Sequence, residues 1–206
     1  MKLEVLPVGS VSVEITKRIQ QIILLSFPNT TCSIADAALP LPERAFDKKR
    51  GQYNSKIILG KVRRHASKLQ NVDCVLGIVD TDIFVSGLNF VFGEATCPGK
   101  AALISLWRLR PEFYHASSNI EVFLERAAKE AVHEVGHTMG LEHCPRLLCV
   151  MHFSNSIFDA DRKLNTFCDR CGVEVALRLV SQNGRLLTEY QRLRVASFPF
   201  GTEKYP

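Results

Sequence analysis

The chain has 206 residues, 46% of them hydrophobic and 23% charged, which suits one packed domain and excludes a disordered composition. Its formal charge is only +5. The basic residues Lys48, Lys49, Arg50, Lys61, Arg63 and Arg64 read more simply as a solvated face than as a nucleic-acid surface, because no aromatic-rich RNA-binding motif accompanies them.

Residues 1–9 read as a first strand ending in a turn, since Glu4 and Pro7 break the apolar run that an export signal needs. No apolar run is long enough to span a membrane. Seven cysteines without an export signal place the expected location in a reducing cytoplasm, where thiolates stay available for metal. From 12 to about 26, Val13, Ile15, Ile19, Ile22, Ile23 and Leu25 predict an amphipathic helix that Pro28 and Asn29 stop. Residues 31–35 predict a short strand. The two prolines at Leu39-Pro40-Leu41-Pro42 predict a loop.

Asn54 or Ser55 can cap a helix running to about residue 69. Residues 73–80 form a continuous apolar run, as in a strand buried in a parallel sheet. Strand, helix, strand, helix, strand is an α/β layering with right-handed crossovers. Residues 88–94, with Phe90 and Phe92, and residues 101–107 predict two further strands. Ser118 and Glu121 have capping-box spacing for a helix from about 119 to 139, with Val122, Phe123, Ala127, Ala128, Ala131, Val132 and Val135 on its apolar face. A last helix is expected directly behind Cys171, over 173–180. Residues 185–206 are a mixed tail with no assigned role.

The chemistry concentrates in His133-Glu134-Val135-Gly136-His137-Thr138-Met139-Gly140-Leu141-Glu142-His143. His133 and His137 are four apart, so on a helix both can turn a ring nitrogen to one zinc ion. Glu134 stands beside that face, where its carboxylate can take a proton from a water activated by the metal. Gly140 can end the helix in a left-handed conformation, letting the chain return His143 as a third ligand. Three histidines leave a coordination position open, the layout of a catalytic zinc. The competing reading is an amphipathic helix with histidines on its polar side.

Cys144, Cys149, Cys168 and Cys171 then spell two short-spaced pairs separated by a loop, the pattern of a closed four-thiolate zinc site. Disulfides or scattered buried thiols are the alternatives. Cys32, Cys74 and Cys97 are not at ligand spacing, and His65 and His115 lack partners at useful spacing.

The composite H-E-x-x-H-x-x-G-x-x-H-C-x4-C-x-M followed by C-x-x-C resembles the archaemetzincin family of metzincin-like zinc proteins, and the stretch from Asp80 to Ala95 is similar to that family's segment before the zinc helix. The resemblance implies a metzincin-like α/β (α+β) fold with a mixed, mostly parallel twisted sheet and one antiparallel edge strand. That edge strand, assigned to 88–94, would form the upper rim of the cleft and offer its backbone to an extended peptide. It implies one catalytic domain over 1–206, with an upper part over 1–140 ending in the zinc-bearing helix. The lower part, 141–206, would carry the structural zinc, and Met151 would form a turn beneath the catalytic metal.

The expected function is a zinc-dependent metallopeptidase holding two zinc ions per chain. His133, His137 and His143 hold the catalytic one, Glu134 is the general base, and Cys144, Cys149, Cys168 and Cys171 hold the other. The expected partner is a peptide or protein substrate, with no membrane, no nucleic acid and a monomeric state. His152 or Asn155 can assist at the oxyanion or be structural, because the stretch His152-Phe153-Ser154-Asn155-Ser156 directly after Met151 holds no tyrosine. The rival readings are a zinc-stabilised binding protein with little or no turnover and a zinc hydrolase acting on something other than peptides.

Overall fold

The computed structural model describes residues 1–182, so the tail expected over 185–206 lies outside the described residues. Strand β1 (Lys2–Val8) opens the fold. The carbonyl of Pro7 accepts from Leu39 N–H, so the proline's missing donor faces the loop beyond the neighbouring strand's end and costs no ladder bond. Helix α1 (Val13–Ser26) is capped by Ser12 and buries Thr16, Ile19 and Ile23, and β2 (Thr31–Ile34) returns parallel to β1.

Two short strands, β3 (Phe46–Asp47) and β4 (Gln52–Asn54), form a hairpin that periodicity did not foretell. Asn54 then caps α2 (Ser55–Ala66), as expected. Strand β5 (Cys74–Val79) is buried at every position because it lies between two parallel neighbours with helices on both faces.

After β6 (Ile83–Phe84) come β7 (Gly93–Ala95) and β8 (Ala101–Ser105). The main sheet has five strands in the order β2-β1-β5-β8-β7, and β7 is its antiparallel edge. A second, three-stranded sheet runs β3-β4-β6. Alternate residues of the main sheet build two cores. Leu3, Val5, Leu76, Ile78 and Ile104 pack with Ile19 and Ile23 of α1 and with α3 (Ile120–Thr138), whereas Leu6, Val8, Val75, Val79 and Leu103 pack with Ile58 and Val62 of α2.

Beyond α3 lie a loop, the short α4 (Ile157–Arg162) and α5 (Asp169–Gln182). No helix among the described residues is long and apolar enough to cross a membrane.

Three boundaries differ from expectation. Regular pairing at the sheet edge begins only at Gly93, so most of the strand expected over 88–94 is loop. Helix α3 is capped by Asn119, whose Oδ1 accepts from the N–H groups of Glu121 and Val122, and the expected Ser118 box is out of register by one residue. Asparagine caps as well as serine, so spacing alone could not choose. The capping box proper sits at α4, between Ser156 and Asp159. Finally, α5 starts at Asp169 rather than behind Cys171, so the second cysteine pair spans the helix start.

Candidate active site

Helix α3 carries His133, Glu134 and His137 and ends in a Schellman turn. Gly140 N–H bonds the His137 carbonyl at 2.7 Å, and Leu141 N–H bonds the Gly136 carbonyl at 3.2 Å. Gly140 has φ +85°, which only glycine adopts without strain. The turn brings His143 back over the helix, and ring centroids of His143 lie 5.3 Å from His133 and 4.8 Å from His137.

The tautomers follow from the hydrogen bonds. His133 Nδ1 lies 2.8 Å from the Val150 carbonyl and His137 Nδ1 lies 2.7 Å from the Leu141 carbonyl. A carbonyl only accepts, so each ring carries its proton on Nδ1 and turns Nε2 inward. The two Nε2 atoms face each other at 3.1 Å. Burial pushes both histidines below their ordinary pKa, and burial, the neighbouring imidazoles and Lys163 bring His143 down to about 4. Neutral rings with converging lone pairs repel unless a cation sits among them. Zinc–nitrogen bonds of ordinary length in a tetrahedron would set such nitrogens about 3.3 Å apart.

Glu134 lines the same cleft as the three histidines, opposite the edge strand. A Cβ on Gly93 would stand 2.5 Å from Glu134 Oε1, so β7 approaches the carboxylate closely only because residue 93 has no side chain. Burial raises Glu134 well above the carboxylate range, Glu130 and Glu94 add to this, and Lys163 opposes it. Beneath the helix, Met151 is fully buried against Gly136, where a Cβ would lie 2.5 Å from the methionine sulfur.

Cys144, Cys149, Cys168 and Cys171 come together as the second cluster, with none in a disulfide. Their ligand atoms lie within 4.8 Å of one another. Cys144 and Cys168 sulfurs are 3.7 Å apart, close to the ~3.8 Å edge of a tetrahedron of 2.3 Å zinc–sulfur bonds. Burial works against a thiolate at Cys168, but the Cys171 backbone N–H and the neighbouring thiols draw its pKa below the usual value. The two clusters are tied by sequence and by backbone: Cys144 N–H bonds the Met151 carbonyl at 2.9 Å, and His152 Nδ1 donates to the Cys144 carbonyl at 2.9 Å.

That bond gives His152 a structural partner, while Asn155 lines the cleft. His65 pairs with Glu4 at 2.6 Å, away from both clusters. Sequence reading missed the buried pair of Glu130 with Lys163, 2.9 Å apart, of which Glu130 lines the cleft. Glu130 lies one turn before Glu134 on the same helix face, a signal that was available; Lys163 had none, because its partner is remote in sequence. Also missed were Glu94 held by Ser55 Oγ at 2.6 Å and Phe153, whose ring stands 4.9 Å from that of His143.

Comparison with known proteins agrees with this geometry. The model of peptidase family M54 matches residues 14–176, a stretch containing all seven clustered histidines and cysteines. The archaemetzincin of Methanocaldococcus jannaschii is 45% identical over 83% of this chain and 90% of its own. Among solved structures, the archaemetzincin of Methanopyrus kandleri superposes with a TM-score of 0.73 at 36% identity, covering 87% of this chain and 95% of that one. A zinc-dependent peptidase from Methanocorpusculum labreanum gives a TM-score of 0.73 at 26% identity over 84% and 99%. Fold, clusters and matched span agree, and the chain belongs to peptidase family M54, the archaemetzincins, and is a zinc metallopeptidase.

Proposed function

We propose that His133, His137 and His143 hold the catalytic zinc, that Glu134 is the general base, and that Cys144, Cys149, Cys168 and Cys171 hold a second, structural zinc. The peptidase would be one catalytic domain, its upper part ending with the active-site helix at residue 140 and its lower part built around the thiolates. The observation that carries the reading is the pair of unprotonated Nε2 atoms converging at 3.1 Å while both Nδ1 atoms are engaged by carbonyls.

Zinc bound there supplies Lewis acidity toward a peptide carbonyl and makes a water acidic enough to lose its proton near neutral pH. Glu134 accepts that proton and returns it to the leaving nitrogen, so one carboxylate serves as base and then acid. Its burial favours the proton-holding form that the second step requires. Gly93 leaves the carboxylate the space to do this. The cleft, about 530 Å³, has a wall of Leu88, Phe90 and Phe153 that excludes water around an extended peptide.

The test is a peptide-library digest with zinc-replete protein beside Glu134→Gln. Cleavage should fall by about 10²- to 10⁴-fold in the variant, with two zinc ions per chain retained. Cleavage at the wild-type rate by Glu134→Gln would refute the base. A wild-type protein that binds zinc but cleaves no peptide would favour the binding-protein rival.

A further inference from the structure

The upper rim of the cleft is tied to strands at Val91 and Phe92, which bond Ile83 and Ser105, but at Leu88 and Asn89 it is held by side chains. Residues 85–92 all line the cleft, yet they precede the short edge strand β7. Their backbone is gripped from outside, chiefly by Arg50 in the β3–β4 turn. Arg50 Nη2 donates to the Leu88 carbonyl at 3.0 Å and to the Asn89 carbonyl at 2.8 Å. Its guanidinium lies 4.2 Å above the Phe84 ring, and its Nε donates to Gln52 Oε1 at 2.8 Å. Gln52 Nε2 donates in turn to the Asn89 carbonyl at 3.0 Å and to Asp82 Oδ2 at 3.0 Å. Asp82 is locked bidentately by Arg108 at 2.7 Å, and Arg108 lies 4.4 Å over the Phe90 ring.

In a trans peptide the carbonyl and the following N–H point in opposite directions. Drawing the carbonyls of Leu88 and Asn89 toward Arg50 therefore turns the N–H groups of Asn89 and Phe90 away from it. Among the described residues, neither N–H has a partner, although the neighbouring Leu88 and Val91 N–H groups bond Val85 and Ile83 carbonyls. Both residues line the cleft.

We propose that Arg50 is a positioning residue for the substrate: it sets the Asn89 and Phe90 N–H groups as main-chain donors for carbonyls of an extended peptide. The inference rests on the cleft being the peptidase site. One guanidinium nitrogen bridging two carbonyls while Nε holds Gln52 and the plane stacks on a ring needs arginine; lysine reproduces the charge without the second, angled donor or the stacking plane. Recognition through main-chain donors is blind to substrate side chains, which gives the proposal a signature that general loosening of the fold lacks.

Arg50→Met and Arg50→Lys are compared with wild type on a panel of long peptides of varied sequence and on a minimal substrate too short to reach residues 89 and 90. Arg50→Met should raise KM about tenfold across the whole panel, the scale of one or two lost hydrogen bonds, with kcat changed less than about twofold. The minimal substrate and the zinc content should be unaffected, and Arg50→Lys should recover only part of the loss. Gln52→Leu should give the same pattern more weakly. A second arm measures the affinity of a fluorescent long peptide, made non-hydrolysable by a reduced-amide bond at the position cleaved in the panel, for wild type and Arg50→Met, and expects the same tenfold loss; it reads the rim without turnover and without any use of Glu134, so a failed base assignment does not mask it. Unchanged KM and affinity, a fall in kcat at constant KM, or an equal loss on the minimal substrate would overturn the proposal.

Discussion

The histidine cluster and the cysteine cluster adjoin at His143–Cys144, yet they are built in opposite ways. The histidines sit on a rigid helix and its closing turn and open onto the cleft, with His143 exposed to it. The thiols come from a loop and the start of α5 and are closed over, Cys144, Cys149 and Cys171 being buried. A site with an open face can admit water and substrate, whereas a closed one can only cross-link the chain. Among the described residues none after Gly140 forms a strand, and on the proposed reading a metal cross-link would stand there in place of a sheet.

Exchanging a ligand in each cluster tests that contrast most severely. Cys168→Ser should release one zinc ion and lower stability by about 4 kcal/mol or more, roughly 10 °C in a chain of this size, as read by calorimetry beside metal analysis. His137→Ala should also release one zinc ion and abolish cleavage, while shifting the melting temperature by less than half as much. Equal effects of the two exchanges on stability would erase the distinction between an open chemical centre and a closed structural one.

A smaller perturbation isolates the chemistry. Gly93→Ala places a methyl group where Glu134 Oε1 now lies at 2.5 Å from the added Cβ position, so the carboxylate must move. A displacement near 1 Å should cost about 10²-fold in kcat/KM with zinc retained. Wild-type kinetics in Gly93→Ala would show that Glu134 does not act from this position.

Gly136→Ala should have the smallest effect. It forces Met151 away from the helix, costing about 1–3 kcal/mol by overpacking, and activity should fall only as far as the histidines shift with it. Loss of less than 0.5 kcal/mol on chemical denaturation would mean that the turn beneath the helix is loosely packed.

What could be read in advance follows the range of the interactions. His133, His137 and the Gly140 turn are set by bonds spanning three to five residues, so spacing alone reveals them. The continuous apolar run of β5 likewise foretells a central parallel strand, because burial on both faces leaves no polar alternation. Of the edge strand expected over 88–94 from its alternating phenylalanines, only Gly93 and Glu94 pair with the sheet; Leu88 and Asn89 are instead held by Arg50 and Gln52, distant in sequence. Lys163, buried beside Glu130, is invisible for the same reason: in sequence it is a lysine after a short helix, and only the fold supplies its partner.

The central claim concerns where the zinc ions sit, and anomalous diffraction at the zinc edge from zinc-replete crystals measures it directly. The account predicts two peaks per chain, one about 2.1 Å from a ring nitrogen of each of His133, His137 and His143 and one about 2.3 Å from the sulfurs of Cys144, Cys149, Cys168 and Cys171. A histidine cluster without a peak, in crystals whose cysteine cluster is filled, would contradict it.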